Sequence, residues 1–210
     1  MSAEAGYFLV FESGPKGGKT TLAAALAGTL GGKQLAREIV TGRSALTDSP
    51  FAAKVKECGI SSLEYSTAFY WADLVFNTCD VIRPRRKAGS VVIYDRYDMS
   101  IVTYREAYGL KDDQLLADAY EERGMVFPPD LTVFLDPPTE TMLERIARCQ
   151  ESSDIDRAFL ADPQKLWFIQ ERMRHHLRRK GRPTLTLDTA QLSVAQCVDQ
   201  IVARVEAALK

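Results

Sequence analysis

Short apolar runs alternate along this chain with longer stretches of helical periodicity, the order that builds a parallel sheet covered by helices. Tyr7–Glu12 (YFLVFE) reads as a first strand. Leu22, Ala25, Leu26 and Leu30 then recur at helical spacing, and Gly31-Gly32 is a helix stop signal. Lys33–Ile39 is taken as a second strand in spite of its polar content. Val91–Tyr94 and Leu131–Leu135 are continuous apolar runs, as expected of strands buried on both faces, and Thr184–Leu187 makes a fifth strand. Val194, Val198, Ile201, Val205 and Leu209 form one stripe of a last helix that should cover the sheet. Between the second and third strands, Leu63–Arg83 is apolar around most of its circumference. A helix buried on several sides or paired at an interface is implied, closed by Pro84.

The expected fold is therefore α/β, a five-stranded parallel sheet with helices on both faces. The 210 residues suffice for one such core, so residues 1–210 are read as a single domain. Lys and Arg number 27 against 28 Asp and Glu, a formal net charge of -1, so no global basic field attracts nucleic acid or an anionic membrane. Glu4 lies where a secretory leader carries basic residues, and no apolar run approaches membrane-spanning length; a cytoplasmic protein is expected. Cys58, Cys79, Cys149 and Cys197 are too scattered for a zinc site or disulfide framework. Arg172–Arg182 (RMRHHLRRKGR) is strongly basic, yet Leu166, Ile169, Met173 and Leu177 form an apolar stripe beneath it, which favours a solvated helix face over a nucleic-acid site. The adjacent His175 and His176 point in different directions on a helix, unlike a metal-binding pair. Cys149–Asp162, polar and set between two helical patterns, is either a short lid or a surface connection.

Specific chemistry begins at Phe11–Thr21 (FESGPKGGKTT). A loop that cradles phosphate needs small residues so that successive backbone N–H groups converge on an anion. It also needs a lysine for the terminal phosphates and a hydroxyl for Mg²⁺. Ser13, Gly14, Pro15, Lys16, Gly17, Gly18, Lys19, Thr20 and Thr21 supply that set, after a strand and at the start of a helix whose N-terminal end is positive. Ser13 replaces the first glycine of the strict G-x-x-x-x-G-K-[ST] pattern, so either it takes a glycine-like backbone conformation or the loop follows another path. Lys16 adds a second cation, directed either to phosphate or to solvent. Val91–Ser100 (VVIYDRYDMS) ends another buried strand in Asp95 and Arg96, at the sheet edge where α/β folds bind ligands. Asp95 there suits a metal or its waters; Arg96 suits charge developing between two phosphates.

Three segments, FE-x(5)-GKTT, DRY-x-x-S-x-x-x-Y at Asp95–Tyr104 and PDLTVFLD at Pro129–Asp136, occur in the order seen in thymidylate kinases, and the chain resembles that family over nearly its whole length. The resemblance implies a P-loop kinase fold with a short lid at about 149–162, ATP·Mg²⁺ as donor, a small nucleoside monophosphate as acceptor, and a homodimer built on the region of Leu63–Arg83. Lys19 and Thr20 would hold ATP phosphates and magnesium, Asp95 the metal, and Arg96 both phosphates. LERIAR at Leu143–Arg148 looks like the approach to the lid, making Arg145 and Arg148 catalytic candidates and Arg157 a third. The remaining acceptor positions are Arg37, Phe69 as the base-stacking aromatic, Asp73, Leu74, Ser100, Tyr104 and Arg105.

Departures from the family pattern gather on the acceptor side. Pro15 replaces an acid that approaches the sugar, and Leu74 replaces the arginine of the family's A-D-R, which addresses a base carbonyl. Arg105 replaces the glutamine of A-Y-Q, and the family's Arg-Glu-Pro-Gly turn is altered after Arg37-Glu38. Because an unpaired buried polar group costs about 1–3 kcal/mol, such a pocket should discriminate strongly, and the changes imply an acceptor other than thymidine monophosphate, with Arg105 contacting whatever replaces thymine. Three other readings stay open: a divergent but ordinary thymidylate kinase that uses compensating side chains, a kinase of an unphosphorylated nucleoside or another metabolite, and a nucleotide-binding scaffold without turnover.

Overall fold

The computed structural model describes residues 6–33, 39–42, 63–109, 113–150 and 154–209. In chain order the elements are β1 (Tyr7–Glu12), α1 (Lys19–Gly32), β2 (Ile39–Gly42), α2 (Leu63–Asn77), a π-helical turn (Thr78–Ile82), α3 (Arg83–Lys87), β3 (Val91–Asp95), α4 (Asp98–Ala107), α5 (Asp113–Glu122), β4 (Leu131–Leu135), α6 (Thr139–Ala147), α7 (Asp154–Ala161), α8 (Pro163–Lys180), β5 (Thr184–Leu187) and α9 (Val194–Leu209). The sheet order is β2-β3-β1-β4-β5 and all four pairings are parallel. β1 is thus central, with β3 beside it in a register that sets Phe11 opposite Asp95. The carboxyl ends of the two strands carrying Glu12 and Asp95 therefore open on the same edge of the sheet.

Side-chain alternation divides the core. Leu9, Phe11, Val91 and Ile93 face α1 and α9, packing on Leu22, Leu26, Leu30, Val198 and Ile201. Phe8, Val10, Val92 and Tyr94 face the other way, onto Trp71, Leu74, Tyr97 and Val102. Each large apolar side chain buried this way is worth about 1.5–3 kcal/mol, so β1 and β3 are anchored from both faces. A third cluster, with Met142, Ile146, Phe159, Leu166, Ile169 and Met173, binds α6, α7 and α8 together.

Two boundary expectations are corrected. The second strand is described at Ile39–Gly42, and Lys33, the expected start of that strand, is the C-cap of α1; residues 34–38 of the expected span lie outside the described residues. The β-branched Ile39, Val40 and Thr41 pair with Val91, Val92 and Ile93 of β3, as suits their strand propensity. Pro84 does not close the long apolar helix. The π-helical turn follows α2 directly, and Pro84 sits in the first turn of α3, where its missing N–H is tolerated.

The basic face of α8 is partly solvated, with His175, Arg178 and Arg179 exposed, but several of its cations are paired. Arg172 makes two 2.8 Å bonds to Glu106, Arg174 grips Asp136 at 2.7 Å, and Lys180 reaches Glu121 at 2.6 Å. Just beyond the helix, buried Arg182 holds buried Asp98 through two bonds of 2.9 and 2.7 Å. These ion pairs draw their acids from α4, α5 and the residue after β4, so they dock α8 on its neighbours. His176 is buried against Glu106 at 2.9 Å; burial pushes its pKa down, which keeps the imidazole neutral near pH 7. Among the described residues no helix is long and apolar enough to cross a membrane.

Candidate active site

The loop from Ser13 to Gly18 turns from β1 into α1 with Lys16 at φ 53° and Gly18 at φ 103°. Lys19 Nζ folds back over the loop, donating to Gly14 O at 2.7 Å and Ser13 O at 3.3 Å. Its ammonium thus stands inside the ring of backbone that would surround an anion. Among the described residues the only non-glycine positive-φ positions are Lys16 and Arg96, so Ser13 adopts no glycine-like backbone. Its difficulty is spatial. Ser13 is fully buried, its Oγ has no hydrogen-bond partner, and a Cβ built on Gly17 would lie 1.8 Å from that Oγ. Ser13 therefore fills the space that a side chain at position 17 would need, and Gly17 is the residue that accommodates it.

Thr20 Oγ1 donates to Asp95 Oδ2 at 2.8 Å, joining the first turn of α1 to the end of β3. The other oxygen, Asp95 Oδ1, is buried without a hydrogen-bond partner. An unpaired carboxylate oxygen beside a threonine hydroxyl matches the hard-oxygen donors that Mg²⁺ prefers. Among the described residues no group of three or more His, Cys, Asp or Glu side chains gathers elsewhere as a metal site.

Arg96 follows at φ 71°, a conformation costing a non-glycine residue on the order of 1–3 kcal/mol. Its Nη1 donates to Ser13 O at 3.2 Å and Ser100 Oγ at 3.3 Å, and the guanidinium lies 5.1 Å from the Tyr104 ring centroid. Beneath it lies Glu12, fully buried and accepting from Tyr97 N at 2.9 Å, from Ser100 N at 3.3 Å and from the Ser100 hydroxyl. Burial raises the Glu12 pKa to about 7; the Ser100 bond opposes that rise, nearby Asp98 adds to it and Arg96 opposes it. Glu12 is the acid of FE-x(5)-GKTT, but no role was assigned to it. The available signal was an acid closing an otherwise wholly apolar strand.

On the far side of the loop, Arg145 donates to Thr189 Oγ1 at 3.0 Å, Thr189 O at 2.7 Å and Lys16 O at 3.3 Å. Thr189 Oγ1 in turn donates to Gly17 O at 3.0 Å. Thr189, in the turn after β5, is a second residue that sequence reasoning did not single out. Lys16 Nζ donates to Cys149 Sγ at 3.3 Å and stands 3.7 Å from Asp156 Oδ2, so the phosphate loop touches the start and the middle of the segment taken as a lid. That segment is not wholly polar. α7 lies within it and buries Phe159 completely.

A cavity of about 720 Å³ gathers these groups: Pro15 to Leu22, Asp95, Arg96, Arg145 and Asp156 line it, with Thr189, Leu192, Val194 and Cys197 at one side. Arg148 stands apart. Its side chain is 80 % exposed and pairs with Glu144 at 3.3 Å, as an ordinary i, i+4 surface pair. Arg157 is exposed as well. Of the acceptor candidates among the described residues, Arg96 alone lines the cavity. Leu74 is a correction: it is 4 % exposed and packs in the core with Phe8, Val10 and Tyr94, because the stripe Trp71, Leu74, Thr78 and Ile82 is the face that α2 and its π-helical turn press on the sheet. Asp73 is buried too, its Oδ1 accepting from Asn77 Nδ2 at 2.8 Å. Ser100 is spent on Glu12 and Arg96, Tyr104 lies under Arg96, and Phe69 and Arg105 are half-buried. Arg37 lies outside the described residues.

A central strand ending in a glycine-rich loop, a lysine inside that loop and an acid on the neighbouring strand tip define a P-loop phosphotransferase. Residues 12–201 match the family model for thymidylate kinase, and the chain belongs to that family. Among its relatives, the thymidylate kinase of Lactobacillus delbrueckii is 30% identical over 173 residues, covering 79% of this chain and 78% of that protein. Proteins named probable thymidylate kinase from Pyrococcus horikoshii and Thermococcus kodakarensis are 28% and 26% identical, and each alignment covers 96% of this chain and 96% or 98% of the relative. The chain is accordingly a nucleoside monophosphate kinase, an enzyme of ATP-dependent phosphoryl transfer to small nucleotides.

Proposed function

We propose that this kinase, one domain across residues 1–210 with a lid at about 149–162, acts in the cytoplasm on a nucleoside monophosphate other than thymidine monophosphate, a different or modified pyrimidine nucleotide. The observation that carries this reading is Leu74, which stands where the family pattern has an arginine and is buried in the core at 4 % exposure. No polar group from that position meets a base. Pro15, where the pattern has an acid, lines the cavity without a charge.

In this reading Lys19 leaves the carbonyls of Ser13 and Gly14 for the terminal phosphates of ATP. Thr20 and Asp95 would hold Mg²⁺, a fit supported by the unpaired Asp95 Oδ1, and the ion would neutralise phosphate charge when bound. Arg96 bridges donor and acceptor phosphates from the strained turn. Arg145, gripping Thr189 beside the loop, borders the nucleotide on the side of α9. Little covalent work falls to the protein: position and preorganised charge lower the barrier.

The test is ADP release by the purified chain with Mg²⁺ and a panel of nucleoside monophosphates and nucleosides. Preference for a non-thymine monophosphate supports the proposal; thymidine monophosphate as the best substrate overturns it. A nucleoside preference would favour a nucleoside kinase, and ATP binding without acceptor-stimulated ADP release a scaffold. A homodimer through α2 is part of the same reading, supported by Tyr70 and Phe76, which are 42% and 48% exposed on it. Light scattering should give a dimer that Phe76→Glu converts to monomer; a monomeric wild type at assay concentration refutes this part.

A further inference from the structure

Arg96 is held in place from both sides by two consecutive residues of β1. Its own N–H donates to Phe11 O at 3.0 Å, and the next residue, Tyr97, donates its N–H to Glu12 at 2.9 Å. Between these two bonds the backbone adopts φ 71°, a conformation that persists where its surroundings enforce it. The side chain is held by the same group at one remove: the Ser100 hydroxyl donates to Glu12, and Arg96 Nη1 lies 3.3 Å from that hydroxyl.

Helix α4 also lacks a cap of its own. Tyr97 occupies the N-cap position and no side-chain cap bond forms there, although the first turn of a helix leaves N–H groups in need of acceptors. The Glu12 carboxyl, reaching in from a different strand, accepts from Tyr97 N and Ser100 N at that terminus, where an anion is favoured. Glu12 is fully buried and does not line the cavity, so a direct role on substrate is not what the geometry offers. It is bonded to the turn that carries Asp95 and Arg96, and it adjoins Ser13, whose carbonyl accepts from both Lys19 and Arg96.

We infer that Glu12 is a positioning residue for phosphoryl transfer: by capping α4 and holding Ser100, it fixes the Asp95-Arg96 turn against the phosphate loop. The inference rests on the phosphoryl-transfer reading of the site. It assigns to the last residue of β1 the coupling between the donor loop that follows it and the acceptor-side arginine just after β3.

The test uses the full chain and whichever monophosphate the wild type turns over best. Glu12→Gln keeps the size of the side chain but removes the carboxylate. Active sites are counted by binding of a non-hydrolysable ATP analogue, so misfolded protein does not enter the rate. The expected result is a kcat per site lowered about 10- to 100-fold, since small displacements of a catalytic group have effects of that order. Affinity for the ATP analogue should stay within about twofold, because the substitution leaves Lys19 and the Gly14 carbonyl untouched. Ser100→Ala, which cuts the link to Arg96 and leaves the Tyr97 bond, is measured in parallel and should lower kcat about fivefold. A Glu12→Gln enzyme whose kcat per site is within twofold of wild type overturns the inference. If that variant does not fold, unchanged kcat in Ser100→Ala does the same. A wild type inert with every monophosphate overturns instead the reading on which the inference rests, and the inference with it.

Discussion

Introducing a methyl group at Gly17 tests whether Ser13 and Gly17 form one steric unit. In Gly17→Ala the new Cβ would lie 1.8 Å from Ser13 Oγ and 2.8 Å from Ser13 Cβ. Rotating the hydroxyl away relieves the first contact but not the second, so the loop backbone must move. Overpacking of this kind costs about 1–3 kcal/mol. Moving the loop also displaces the N–H groups meant for phosphate, and a shift near 1 Å costs on the order of 100-fold in turnover. Ser13→Gly has a different balance. It removes a buried hydroxyl with no partner, whose desolvation costs about 1–3 kcal/mol, and adds the backbone freedom of glycine, a penalty of about 0.5–1 kcal/mol. That variant should be between neutral and about 2 kcal/mol more stable than wild type. The double variant Ser13→Gly/Gly17→Ala removes the clash altogether and should recover most of the stability and turnover lost in Gly17→Ala. Urea unfolding of the four proteins closes a double-mutant cycle with a coupling of at least about 1 kcal/mol, and ADP release follows activity. Additivity within about 0.3 kcal/mol would refute the reasoning, because then the hydroxyl does not occupy the space that Gly17 leaves.

Further predictions concern the cation in the loop and the buried charges around it. Lys19→Ala should lower acceptor-stimulated ADP release by at least about 100-fold, since one preorganised charge on the phosphates is worth that much; retention of a tenth of wild-type activity would contradict the role given to its ammonium. Arg182→Ala leaves buried Asp98 unpaired and should destabilise the chain by about 3–5 kcal/mol in urea unfolding, whereas Asp98→Asn/Arg182→Met should recover much of that loss; equal losses in both would show that the pair is not the cause. Glu12 has a folded-state pKa raised to about 7 from an ordinary value of 4.5, so between these values the folded chain holds a proton that the unfolded chain has released. Stability from this group therefore falls as pH rises through that window, by roughly 3 kcal/mol, and is level above it. Arg96, Asp98 and Tyr104 face the same carboxyl, and Asp98 is in turn bonded to Arg182. Unfolding at pH 5 and pH 8 should show Glu12→Gln gaining on wild type at the higher pH; an equal difference at both values would refute the shift.

The alternation of apolar strands with helical stretches made most of the architecture legible, because a sheet buried on both faces writes continuous apolar runs such as Leu9–Phe11, Val91–Tyr94 and Leu131–Leu135. It failed where local composition carried little contrast. β2 has the short β-branched set Ile39, Val40 and Thr41, and the polar residues before them blurred its start. Pro84 misled for a physical reason: a proline that would break a helix interior is tolerated in a first turn, and the π-helical turn ahead of it restarts the helix. The charges of Arg172–Arg182 look solvated in sequence because their acids, Asp98, Glu106, Asp118 and Glu121, lie on α4 and α5, brought near only by the fold.

Within the site, legibility followed the same division between contacts local in sequence and contacts made by the sheet. Lys19 and Thr20 were readable because the loop that uses them is contiguous, and Asp95 because it ends a strand. Glu12 was not, since its partners Tyr97 and Ser100 meet it only through the pairing of β1 with β3. Ser13 gives the sharper case. Judged against the motif it is a missing glycine, and the natural inference is a strained backbone. Its φ is ordinary, and the burden moves to the neighbour four residues on, where Gly17 leaves the volume that the serine side chain takes. A departure from a phosphate-binding motif therefore has to be weighed with the residue it touches. Applied to the acceptor side, the same rule separates two kinds of change. Leu74 is satisfied by the core it joins, so on the proposed reading a leucine at this position offers the acceptor no polar contact and does not disturb the fold. On the proposed reading, a serine accommodated by Gly17 in the phosphate loop and a leucine accommodated by the core at position 74 are the combination expected when substrate choice changes and phosphoryl transfer does not.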